Sequence, residues 1–86
     1  MKVAVDIKLG ILAGGGELHA DCEQVLLENA SHSSDIWGGD WYPHNQMIKY
    51  ESLINLKPRQ NRSMTILDAA VRGRVAEIIR DLLEVQ

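Results

Sequence analysis

An α+β fold is what this sequence predicts: a small antiparallel sheet with two helices packed on one face, in the order β-β-α-β-β-α. Three observations lead there. Val3, Val5 and Ile7 alternate at period two, the signature of a half-buried strand. Val71, Val75, Ile78, Ile79 and Leu82 recur at i, i+4, i+7, i+8 and i+11, the signature of an amphipathic helix. Between them lie an aromatic stretch, residues 35–42, and a second alternating stretch, residues 47–56, separated by the turn-forming Pro43-His44-Asn45-Gln46.

Taken in order, the first strand is followed by Lys8-Leu9-Gly10 and then Ile11-Leu12-Ala13, so Gly10 can supply the turn of an antiparallel hairpin. Gly14-Gly15-Gly16 interrupts regular structure. From Glu17 to Glu28 two readings stand. Leu18, Cys22, Val25 and Leu26 fit a helix with acidic residues on another side and Asn29 as its C-terminal cap, whereas Leu18, Ala20 and Cys22 also alternate as in a strand. Asp35 to Tyr42 reads as a strand whose Gly38-Gly39 pair marks a bulge or a close backbone approach. Met47 to Leu56 reads as its hairpin partner, with Ile48, Tyr50, Ser52, Ile54 and Leu56 on one face. Lys57 to Ser63 is polar, basic and interrupted by proline, hence a surface loop. Asp68 caps the final helix, and Gly73 within it is expected to allow close packing against the sheet.

With 86 residues the chain has material for one core, so residues 1–86 read as a single domain. A small core favours reinforcement by self-association, and a homo-oligomer is expected. The lone Cys22 has no partner for an intramolecular disulfide and no Cys/His spacing of a structural zinc site. Asp6 spoils the first apolar stretch as a signal-peptide core, and no apolar run reaches the roughly 20 residues of a membrane span. The expected location is the cytoplasm, with no membrane partner. A net charge of -3 argues against an overall electrostatic grip on nucleic acid.

Three phrases, Gly14-Gly15-Gly16-Glu17-Leu18-His19-Ala20-Asp21-Cys22-Glu23, Asp35-Ile36-Trp37-Gly38 and Ser52-Leu53-Ile54-Asn55-Leu56-Lys57-Pro58, together resemble a family of small prokaryotic proteins classed as a domain of unknown function. The resemblance covers nearly the whole chain and implies no activity, cofactor or site residue. Two positions depart from the pattern it implies: Ala30, near which a glycine is expected, and Asp68-Ala69, where an Asp-Pro helix start is expected.

Several groups can carry chemistry. Gly14, Gly15 and Gly16 before a helix start can direct backbone N–H groups at an anion, although the pattern is neither of the glycine-rich phosphate-loop motifs. Lys57, Arg59 and Arg62, with Asn61 and Ser63 as neutral donors, can hold a phosphate or carboxylate, and a small anionic ligand is expected if the two segments share a cleft. The competing reading is a tight turn and a solvated loop. His19 and Glu23, one helical turn apart, give two metal ligands, short of the three or four that zinc takes; His32, Asp35, Asp40 and His44 are the other candidates. Cys22 with His19, or His44 with Asp40, are the nearest approaches to a nucleophile or acid–base pair, and neither has a visible orienting group. Trp37, Trp41 and Tyr42 lie beside Asp35 and Asp40, which repel phosphate, so a core or subunit-interface role is expected of them. No cofactor is called for. The leading reading is a non-enzymatic interaction module that forms a homo-oligomer; the alternative is a phosphate- or nucleotide-binding protein, an enzyme among the options.

Overall fold

A computed structural model describes residues 1–84. Lys2–Asp6 (β1) and Ile11–Gly14 (β2) form the first hairpin, His19–Glu28 is α1, Ile36–Tyr42 (β3) and Met47–Lys49 (β4) form the second hairpin, and Ala69–Leu83 is α2. The sheet is antiparallel throughout, in the order β2-β1-β3-β4. Element order and class are those predicted, and residues 19–28 resolve to the helical alternative. The first turn is built by Asp6, whose Oδ1 accepts hydrogen bonds from Lys8 N and Leu9 N, both at 2.9 Å, while Gly10 takes a φ of +72°.

The helices do not share a face. Val3 and Val5 point to one side, where Trp37, Trp41, Ile66 and the α2 residues Val75, Ile78 and Ile79 form the larger core. Ala4 points to the other, where Ile36 and the α1 residues Cys22 and Leu26 form a second cluster. The physical reason is visible in β1: Val3, Ala4 and Val5 are all fully buried, and a strand apolar on both faces must be covered on both. The period-two reading had used Val3 and Val5 and passed over Ala4.

The fourth strand is much shorter than Met47–Leu56. Beyond Lys49 the chain leaves the sheet and makes a short 3-10 turn at Leu53–Asn55. Ile48 and Tyr50 therefore join the α2 side, whereas Ile54 packs on the α1 side. Where β4 has ended, the side chain of Asn55 takes its place. Its Oδ1 accepts from Gly38 N at 2.7 Å and its Nδ2 donates to Gly38 O at 3.0 Å, so a side-chain amide supplies the two ladder bonds that a strand residue would give.

The helix termini follow the sequence in part. Asp68 caps α2 as expected, accepting from Ala70 N at 2.7 Å and Val71 N at 3.3 Å. Asn29 is the C-cap of α1 as expected, its Nδ2 donating to Val25 O at 2.7 Å, but the left-handed conformation falls on the next residue, Ala30, with φ 72°. Gly73 faces solvent, and a Cβ there would meet nothing within 4 Å, so the expected close packing against the sheet is absent. Glycine and alanine thus stand at each other's favoured positions. Ala30→Gly and Gly73→Ala are each expected to stabilise the fold by about 0.5–1 kcal/mol, read as a higher urea midpoint at unchanged m-value. A lower midpoint for either variant would refute the corresponding assignment.

Candidate functional site

The glycine turn is built for chain direction and packing. Gly15 has φ +85° and donates its N–H to Lys2 O at 3.0 Å. A Cβ on Gly16 would lie 3.1 Å from Cys22 Sγ and 3.2 Å from Asp21 Cβ, so glycine lets the chain pass beneath α1. The anion position at the start of that helix is taken by the chain itself: Asp21 Oδ2 accepts from Leu18 N at 3.2 Å. Of the backbone donors here, Gly15 N–H is engaged on β1 and Leu18 N–H on Asp21, while Gly14 lies in the edge strand and Gly16 against α1, so they do not form one cradle.

The basic loop is likewise committed internally. Lys57 and Asn61 exchange backbone hydrogen bonds at 2.9 Å in each direction, closing a tight turn in which Arg59 takes φ 69°. Asn61 is 3% exposed; its Nδ2 donates to the carbonyls of Asn55, Ser63 and Thr65, and its Oδ1 accepts from Leu67 N. It staples the loop and has no donor left for an anion. Ser63 Oγ accepts from Thr65 N at 3.1 Å. Lys57 Nζ donates to Ser33 O at 2.7 Å and lies 5.0 Å from the centroid of the Trp37 ring. Burial pulls this ammonium below the usual lysine range, opposed by the charges of Glu23 and Asp35. Within this loop, only Arg59 and Arg62 carry exposed charged side chains with no ion pair to the described residues.

These two segments do not meet. Gly14 pairs with Val3 at the start of β1, whereas Lys57 is tied to Ser33, just ahead of Ile36, which pairs with Asp6 at the other end of that strand. The single composite cleft that the sequence allowed is not formed.

The metal and catalytic candidates are also drawn apart. His19 Nε2 sits 2.9 Å from Gly39 O and 3.4 Å from Asp40 Oδ1, whereas Glu23 lines a cavity with Lys57. No group of three His, Cys, Asp or Glu residues among the described residues is placed to hold a metal ion. Cys22 is buried with Sγ 3.7 Å from Lys2 O, so it is not paired with His19. Asp40 faces His19 instead of His44, which lies exposed in the turn between β3 and β4. Trp37 and Trp41, 1% and 2% exposed, fill the α2-side core and cannot form a subunit interface; of the three aromatics only Tyr42 reaches the surface.

A surface groove, traced by three cavities that share lining residues, follows the segment from Ser52 to Arg62, with α1 as its other wall along the first two. Its first stretch, a cavity of about 210 Å³, is lined by Lys2, Leu18, His19, Ser52 and Leu53; Ile54 leads from it into a second of about 430 Å³ beside Glu23, Ser33 and Lys57. Leu56, Lys57 and Pro58 lead on to a third, about 300 Å³, ending at Arg62. Leu18 and Leu53 stand on its rim at 61% and 70% exposure. Sequence reading missed the two residues that shape this wall, Ser52, whose Oγ accepts from Ile54 N, and Asn55. The one available signal was a polar Asn inside the apolar run Leu53-Ile54-Asn55-Leu56.

The fold and surface define a small α+β protein, a four-stranded antiparallel sheet between two helices, with a shallow groove. No helix among the described residues is long and apolar enough to cross a membrane. The chain belongs to the family described as a protein of unknown function (DUF5674), whose model matches residues 1–82. No curated protein and no solved structure matches it.

Proposed function

We propose that the protein is a non-enzymatic, cytoplasmic interaction module that works as a homo-oligomer. The observation that carries this reading is the amount of large apolar side chain left in solvent although the core already holds both tryptophans. Leu53, Leu18, Leu67 and Met47 are 70%, 61%, 60% and 58% exposed, and Leu9 and Leu82 are more than half exposed. Apolar surface of this kind on a small chain is stabilised by association, since burying it against a second molecule removes it from water. The buried, reduced thiol of Cys22 suits a reducing compartment. Sedimentation from micromolar to near-millimolar protein is expected to show concentration-dependent self-association. A monomer across that whole range would remove the reading.

The second reading, binding of a small anion, now rests on Arg59 and Arg62 alone, because both are exposed and Arg62 borders the third stretch of the groove. An amide-resolved NMR titration with inorganic phosphate should then move the resonances of residues 58–63 and leave Gly14–Gly16 still, and Arg59→Ala with Arg62→Ala should abolish the shifts. Silence at millimolar phosphate would dispose of it.

A further inference from the structure

Of the two sheet edges, one is short and partly covered by the chain itself. β4 is three residues long and carries Lys49, and the groups that would extend its edge are engaged: Tyr50 O accepts from Ile66 N and Ser52 N donates to Met64 O, both at 3.0 Å. Charged residues, brevity and covering segments are the usual ways in which proteins block an edge. The β2 edge has none of these except brevity. From Gly10 to Gly16 there is no charged residue and no proline.

The register says which groups are open. Gly15 N donates to Lys2 O, so the pairs Lys2/Gly15, Ala4/Ala13 and Asp6/Ile11 are the hydrogen-bonded ones. Leu12 and Gly14 therefore turn their N–H and C=O groups away from β1, and no other element of the described chain pairs with β2. Two donors and two acceptors lie in line on one exposed strand.

We infer that β2 pairs with β2 of a second copy, antiparallel about a two-fold axis at Ala13, joining two four-stranded sheets into one of eight strands. The inference rests on the self-association reading above and assigns one contact of that association to this edge, where it covers Leu9 of the exposed residues named there. The geometry is self-complementary. Leu12 of each copy exchanges both backbone hydrogen bonds with Gly14 of the other, giving four bonds from two short strands, as a two-fold interface requires. Each bulky Leu12 faces a glycine, and Ala13, on the α1 side, faces its own copy across the closely spaced non-hydrogen-bonded position, where a methyl group fits. Ile11, the first residue of the strand and 37% exposed, and Leu9 in the turn before it, 54% exposed, are placed to be covered. A second copy is favoured over an unrelated extended peptide because this sequence by itself sets large opposite small at both ends and is always present at the protein's own concentration.

Amide hydrogen exchange on the full chain tests this directly. Ala13 N–H, bonded to β1, should be protected at every concentration, whereas Leu12 and Gly14 N–H should become protected only as concentration rises. Under mild oxidation, Ala13→Cys in a Cys22→Ala background should cross-link as a dimer, while Met47→Cys, on the opposite edge strand and exposed, should not. Ile11→Lys, which puts a charge on an already exposed position, should weaken association by roughly tenfold in Kd. If the wild type self-associates while Leu12 and Gly14 exchange freely and residue 13 does not cross-link, the β2 pairing is overturned and self-association stands. A wild type that is monomeric throughout overturns both.

Discussion

Asn55→Ala is expected to lower the stability of the protein by about 3–5 kcal/mol, a large part of the 5–15 kcal/mol typical of a folded domain. Asn55 is fully buried, and its amide serves Gly38 N, Gly38 O and Met64 O at 2.7, 3.0 and 3.0 Å. Alanine leaves those groups buried without partners, and each orphan costs about 1–3 kcal/mol because water cannot replace the lost bond. Asn55→Asp is expected to fare no better. A carboxylate still accepts from Gly38 N but sets oxygen against the carbonyls of Gly38 and Met64. Urea unfolding of the two variants measures this, and a midpoint close to wild type for either would mean that the amide is not the ladder partner of β3.

Gly38→Ala should cost about 2–4 kcal/mol, by overpacking and by loss of the Asn55 bonds together. A Cβ at position 38 would lie 2.7 Å from Ser52 Cβ and Oγ and 2.9 Å from Ile54 Cγ1, closer than packed carbon atoms tolerate. The turn that holds Asn55 must then move away from β3, and the bonds to Gly38 lengthen with it. Removing the obstacle should restore part of the loss: Ser52→Gly in the Gly38→Ala background is expected to be more stable than the sum of the two single effects implies. Strict additivity would show that the clash is relieved elsewhere. The same displacement would open the groove wall at Ser52 and Leu53, so these variants also report on the surface the fold presents.

Several features were legible in the residues because they depend on neighbours along the chain. The alternation of Val3 and Val5, the helical repeat from Val71 to Ile79, the cap at Asp68 and the turn at Gly10 are local, and each took the form expected; Leu82, the last member of that repeat, is 56% exposed because it lies near the end of α2. The family resemblance calls for a glycine near Ala30, and the left-handed φ at that residue gives the reason. Candidate sites fared differently. The basic loop looked like a set of free donors because composition reports which groups exist and says nothing of what they bond. Asn61 and Lys57 spend theirs on carbonyls at Asn55, Ser63, Thr65 and Ser33.

By itself, then, the sequence determined the order of elements, the hairpins and the identity of most core residues, since periodicity and turn chemistry act over a few residues. Tertiary structure alone decided that the helices flank the sheet, that Asn55 stands in for a strand, that the glycine turn and the basic loop lie at opposite ends of β1, and that the β2 edge is left open. Each of these depends on which distant groups satisfy one another once the chain is closed, and that pairing has no signature in the spacing of residues along it.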